Sequence, residues 1–229
     1  MLLIFQNGME RIIADMSLKV VKQPFNAIWV SATTQQELGE TFIRFQEHYE
    51  SDNPKFRGQI FTLGQVKQWY SELDGYDSYS KYWVGFNFPS KVLEPFRKGL
   101  FDPLTSGEKE LLKKVKYRAT NFYVIGAQDN EVLRHELAHA LYGYSEQYRN
   151  AVNSYIQSHS RKFAAVKRYL KKIGYCDAVL NDEVQAYVTD NDNVFIMDNL
   201  DPDLIAGLNR LWKKYRNKYE NLTRSDHRL

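Results

Sequence analysis

The chain has 229 residues, 43% of them hydrophobic and 14% aromatic, enough to bury a core as one domain or as two packed lobes, which excludes a disordered chain. Its 31 basic and 28 acidic residues leave a net charge of +3, too little to point by itself to nucleic acid, and its single Cys excludes internal disulfides and fits a reducing compartment. No stretch approaches the roughly 20 apolar residues of a membrane helix, and the opening MLLIFQNGMERII has too short an apolar run for a signal peptide, so a cytoplasmic protein is expected, export without an N-terminal signal being left open.

Residues 1 to about 25 fit either a strand or a helix ending before Pro24. Ala27 to Val30 then reads as a strand. Thr34 and Glu37 have capping-box spacing ahead of Leu38, Phe42, Phe45 and Tyr49, which recur on one helical face. Gly58 to Phe61 is expected to be a short strand. Thr62 and Gln65 cap a helix striped by Val66, Trp69, Tyr70 and Leu73 and stopped at Gly75. Tyr82 to Phe88 suits a strand with a bulge at Gly85. Lys91 to Leu104, with Pro95, Gly99 and Pro103, reads as a turn-rich connection and a hinge between lobes. Thr105 and Glu108 cap a short helix carrying Leu111, Leu112 and Val115. Phe122 to Gly126 is a strand, either paired in the core or left as an edge that another strand could join.

The stretch from Asp129 to Tyr144, DNEVLRHELAHALYGY, carries the most chemistry. Asp129 or Asn130 can cap it, Glu131 favours the first turn, Leu133, Leu137, Ala140, Leu141 and Tyr144 recur at helical spacing, and Gly143 can stop it. Within it lies His135-Glu136-Leu137-Ala138-His139. Two histidines four residues apart project from one helix face and can grip a single zinc ion, while Glu136 beside them can act as general base towards a water. A chance match somewhere in such a chain is expected on the order of one time in a hundred.

Further on, Tyr148, Val152, Tyr155 and Ile156 continue a helix to His159, and Phe163, Val166, Leu170 and Ile173 stripe another that Gly174 closes. Lys167, Arg168, Lys171 and Lys172 lie on its outer face, which reads as solvated rather than as a nucleic-acid patch. The last helix, Asp203 to about Tyr219, turns Leu204, Leu208, Leu211, Trp212, Tyr215 and Tyr219 inward.

Two histidines need a third protein ligand beside a water. The metzincin pattern would place it at Ser145 and a glycine at Tyr142, so that class is excluded. Asn181 to Tyr187, NDEVQAY, instead offers Glu183 with Ala186 three residues on. Together His135-Glu136-x-x-His139 and Glu183-x-x-Ala186 resemble the gluzincins, the thermolysin-like zinc peptidases whose third ligand is a Glu on a second helix. The resemblance spans roughly the region from 135 to 187 and implies zinc held by His135, His139 and Glu183, with Glu136 as base and a peptide as substrate. In the common pattern an acidic residue on the Glu-bearing helix supports a ligating His. Here the residue one turn after Glu183 is Tyr187, and Asp190 is two turns away. A tyrosine hydroxyl, from Tyr187 or Tyr155, could carry an oxyanion instead. Asp182 and His159 are rival ligands.

The expected fold is α+β and mainly helical, with a small mixed α/β N-terminal lobe over residues 1–104 packed on a helical zinc-binding lobe over 105–229, or both merged in one domain. The expected function is zinc-dependent peptide-bond hydrolysis on a peptide or protein substrate, without a membrane or nucleic-acid partner. The alternative from another class is a non-catalytic protein whose zinc serves sensing or interaction.

Overall fold

The computed structural model describes residues 18–73, 79–115, 121–173, 175–190 and 193–225. The expectations for residues 1–17 and for helix stops at Gly75 and Gly174 lie outside the described residues. The chain is mainly helical around one small mixed sheet, an α+β fold.

The sheet runs β1 (Lys19–Gln23), β2 (Ala27–Ser31), β4 (Tyr123–Gly126) and β3 (Phe86–Pro89) in that spatial order. β1 and β3 are antiparallel to their neighbours, whereas β2 and β4 run parallel. β4 is therefore paired on both sides, and of the two readings of Phe122 to Gly126 the core strand is the one present; β1 and β3 are the edges. The strands are short, but their period of two sorts side chains cleanly. Val30, Phe86, Phe88 and Val124 enter one core cluster, and Ala27 and Ile125 a second. On the first face lies α1 (Gln35–Glu50), whose Phe42 and Phe45 rings meet Phe86 and Phe88 at 5.2–5.6 Å. On the second lies α6 (Asn130–Tyr144), with Leu133 and Ala140 against Ile125.

Helix starts follow their caps. Thr34 and Glu37 form the expected reciprocal box, as do Thr105 and Glu108 ahead of α5 (Ser106–Lys114). Asp129 receives the Glu131 and Val132 amides at 3.0 and 2.9 Å, which fixes where α6 begins. Gly143 does not stop it: α6 runs on to Tyr144, and the absent Cβ leaves room for the Tyr123 hydroxyl, which would lie 1.8 Å from it.

Three other expectations are corrected. Gly58 to Phe61 forms no strand; Gly58 turns with φ +71° and α2 (Leu63–Leu73) follows directly. The strand expected from Tyr82 begins only at Phe86, because Tyr82 ends a short helix, α3 (Tyr79–Tyr82), and an irregular stretch leads through Gly85. The Lys91–Leu104 connection is built into the core: a 3-10 turn (Ser90–Val92) and α4 (Leu93–Arg97) bury Val92, Leu93 and Phe96, and Phe96 stacks flat on Phe101 at 3.8 Å. Apolar side chains inside that segment outweigh its Pro and Gly content.

After α6 come α7 (Glu146–Ser158), α8 (Ser160–Lys172), α9 (Leu180–Asp190), α10 (Val194–Asn199) and α11 (Pro202–Ser225), which share a separate cluster with Ala138 and Leu141. Phe25, at φ 63° in the β1–β2 turn, reaches that cluster and meets the Trp212 and Tyr219 rings edge-on at 6.1 Å. Leu111, Val115 and Phe122 pack in the cluster of the sheet's first face. Among the described residues no helix is long and apolar enough to cross a membrane. α9 lies along α6, so every site residue on α9 faces the His-bearing helix.

Candidate metal centre

α6 presents His135 and His139 one turn apart, with Nε2 facing Nε2 at 3.1 Å. At that distance the two nitrogens either share a proton or can ligate one cation. Two nitrogens bound tetrahedrally at about 2.05 Å from zinc stand roughly 3.3 Å apart, so the pair is close to the required spacing. Glu183 of α9 completes the group: His139 Nε2 and Glu183 Oε1 are 3.8 Å apart, and the ligand atoms of His135, His139 and Glu183 all lie within 4.8 Å of one another. Glu183 is buried, and among the described residues its Oε2 has no hydrogen-bond partner. An orphaned buried carboxylate oxygen is costly, and a cation at this point would satisfy it. The donor set therefore fits a zinc ion.

The other face of each imidazole is tied to α9. Asp190 Oδ2 meets His135 Nδ1 in a short contact, and Asp182 Oδ1 is 2.9 Å from His139 Nδ1. A carboxylate on Nδ1 fixes the tautomer and turns Nε2 towards the metal position. This answers the missing acid one turn after Glu183: two supports are present, one residue before Glu183 and two turns after it. Asp182 is thus a support for His139 and stands outside the cluster of three ligands.

Glu136, 6% exposed, is held from the sheet. Asn87 alternates with Phe86 and Phe88, so it faces α6 while they face α1, and its Nδ2 donates to Glu136 Oε2 at 2.6 Å. Gly85 lies against the same carboxylate: a Cβ there would come 2.1 Å from Oε1 and 2.8 Å from Val132 Cγ1. The Glu136 carboxylate is thereby clamped between a backbone without a side chain and one amide donor.

No protein-family model, no curated protein and no solved structure matches this chain. The site must be read from its own chemistry.

Tyr187 packs its ring edge-on against His135 at 4.8 Å, and its hydroxyl pairs with that of Tyr175 at 3.0 Å. Desolvation pushes the Tyr187 phenol up to about 12 and Tyr175 up as well, the latter also repelled by Glu183 and Glu136, so both remain neutral donors. Tyr155 is elsewhere: its hydroxyl reaches Asp203 O at 3.4 Å and packs on Gly207 of α11. His159 begins α8 with Nδ1 on Tyr155 O at 2.9 Å and does not approach the cluster. Cys176 is exposed and outside it.

Asn87, Tyr175 and Glu50 were not singled out from the sequence. Only Asn87 had a signal there, a polar residue at an alternate position between two core phenylalanines. Glu50, the last residue of α1, is solvent-accessible, yet protein crowds its carboxyl enough that desolvation pushes it up to about 8; His139 opposes that shift while Glu183, Glu136 and Asp182 add to it.

Desolvation likewise pushes Glu183 up to about 7, against the pull of His139 and His135. Burial alone would lower the pKa of His139, but Asp182 and Glu183 beside it override that and raise it well above the usual imidazole range. All three shifts have one sign for stability. A carboxyl raised in the fold binds its proton more tightly than in the unfolded chain, so stability falls as pH climbs from its ordinary value to its folded one. The imidazolium contribution is full below its ordinary pKa and is lost as pH rises through the folded one. Chelator-treated protein should therefore lose stability between about pH 5 and 8. A zinc ion on the cluster would displace the protons of Glu183 and His139, and the melting-temperature gap between zinc-loaded and metal-free protein should widen by several degrees over that range. A gap independent of pH would show that these groups do not bind the ion.

Proposed function

We propose that this protein is a zinc-dependent peptidase of gluzincin type. The observation that carries this reading is the facing pair of imidazoles with an orphaned glutamate oxygen beside them, each imidazole backed by its own carboxylate. His135, His139 and Glu183 would hold the ion, and three protein ligands leave a position for water, as in catalytic rather than closed structural sites. The ion would supply Lewis acidity, lowering the pKa of a water and polarising a carbonyl.

The chain's own groups do the rest. Glu136, aimed by Asn87, takes the proton of the attacking water and returns it to the departing amine. Asp182 and Asp190 keep the imidazole Nε2 atoms facing the metal position through the reaction. The Tyr175–Tyr187 pair holds two neutral phenols beside His135, one of which can donate to the developing oxyanion. Reversible sensing of zinc would need the two histidines and Glu183 but gives no role to a glutamate clamped by Gly85 and Asn87. That clamp favours hydrolysis over the sensor alternative.

The deciding experiment measures the metal content of purified protein beside a peptide-library digest. About one zinc per chain with cleavage lost on chelation supports the assignment; protein that takes up no zinc removes it. The clamp has its own test. In Gly85→Ala the new Cβ meets the movable end of Glu136 and also Val132 Cγ1, so the carboxylate should swing off Asn87 with some loss of stability, and folding and zinc content of the variant are checked first. Zinc should stay while hydrolysis drops on the order of 100-fold, the scale of an ångström's misplacement of a catalytic group. Parental turnover in this variant would show that the position of Glu136 is irrelevant.

A further inference from the structure

On α8, Lys167, Arg168 and Lys171 share one face with Ala164, since residues three and four apart fall together on a helix. That face forms one wall of a cavity of about 500 Å³, within the size range of small-molecule sites. The other walls come from Tyr142 of α6, Asn153 of α7 and the start of α9 at Leu180 and Asn181. None of these residues belongs to the cluster of His135, His139 and Glu183, so the cavity is a second centre.

The charges lining it do not balance. Among the described residues Asp177 is the single acid in the lining, and its ion pair is with Lys171. Lys167 and Arg168 form no ion pair among the described residues. Lys167 is also half-buried, and desolvation lowers its pKa below the ordinary lysine value although Asp177 pulls it back up. Two cations thus stand at one wall with no counter-charge in contact, which suits an anion. A directed donor stands opposite them. Asn153 Oδ1 accepts from the Tyr142 hydroxyl at 2.8 Å and from Asn181 Nδ2 at 2.7 Å. With the oxygen so held, Asn153 Nδ2 has no protein partner among the described residues and is left to donate. A phosphate group carries about −1.5 to −2 charges at pH 7 and three acceptor oxygens, enough to answer two cations and an amide together. A single carboxylate brings one charge, and a neutral ligand leaves both cations unanswered. The volume beside Ala164 and Ala178 also admits a small body attached to the phosphate.

We propose that this cavity is a binding site for a phosphate group, held by Lys167 and Arg168 with Asn153 Nδ2 donating to it. The group has two sources, a small phosphomonoester or free phosphate. The site stands or falls independently of the zinc-peptidase reading, because it uses none of the metal-centre residues.

Calorimetry on the purified full chain, at fixed ionic strength and in a phosphate-free buffer, would compare glycerol 3-phosphate, inorganic phosphate and succinate. Succinate matches the charge of phosphate but not its compact shape. At least one of the two phosphate compounds should bind about tenfold or more tightly than succinate, the scale of a charge-assisted hydrogen bond. Tighter binding of glycerol 3-phosphate supports the site with a phosphomonoester as occupant; equal or tighter binding of inorganic phosphate supports it with the free ion. Lys167→Gln and Arg168→Gln should each weaken the better phosphate compound about tenfold while leaving zinc content at the parental value. Phosphate can also meet a metal, so affinity that survives in the double variant overturns the proposal by placing the ligand elsewhere. Succinate binding as tightly as both phosphate compounds in the parent overturns it too, and so does failure of both to bind at millimolar concentration, even if the variants do not fold.

Discussion

Glu136→Gln is expected to keep about one zinc per chain and to lose hydrolysis by a factor on the order of 10²–10⁴, the usual contribution of a positioned general base. The amide preserves the shape of the carboxylate. With its carbonyl oxygen in the place of Oε2 it can still accept from Asn87 Nδ2, and it still fits against Gly85. What it cannot do is accept a proton. The loss corresponds to about 3–5 kcal/mol of activation free energy, large against any effect of repacking an isosteric side chain. Zinc content by metal analysis and turnover on whichever peptide the library digest identifies give the two readouts. Full activity with full zinc would remove Glu136 as base; loss of zinc along with activity would mean that Glu136 acts through the metal ligands instead.

That experiment tests the part of the site most legible in the chain. His135, Glu136 and His139 could be placed because a helix of known period fixes which side chains share a face, and the Asp129 cap fixes where the helix starts. Glu183 was reachable for the same reason once a second helix was assumed. Asn87 needed a long-range fact, that β3 lies beside β4 and over α6, which a local pattern does not contain. The misread strands failed on similar grounds. Gly85 looks like a bulge from its neighbours, whereas its lack of a side chain serves Glu136, 51 residues away in sequence but touching in space. Lys91 to Leu104 looked like a hinge because Pro and Gly were weighed above Phe96 and Phe101, whose stacking makes that segment part of the core. Glu50 carried no local signal at all: at the end of an amphipathic helix it is indistinguishable from a solvated residue.

The α9 helix supplies the second large effect. Read from helical spacing alone, Asp182 points about 100° from Glu183 and its removal should matter little. The structure assigns it contact with His139 Nδ1 at 2.9 Å, because α9 lies along α6 closely enough for residues on both sides of the Glu183 position to reach the histidines. Zinc affinities should therefore fall in two steps. Glu183→Ala removes a ligand and should weaken binding well beyond 100-fold, whereas Asp182→Ala and Asp190→Ala each loosen one imidazole and should cost about 10–100-fold, the range measured for carboxylates behind zinc-bound histidines. Removing both aspartates should depart from the product of the single effects, since the two rings they hold meet at 3.1 Å and share one metal position. Competition against a chelator of known affinity reads all four variants on one scale. Near-parental affinity in Glu183→Ala would end the gluzincin assignment. A loss in Asp182→Ala larger than in Glu183→Ala would keep the zinc site and move its third ligand by one residue, with α9 rotated to bring that carboxylate forward.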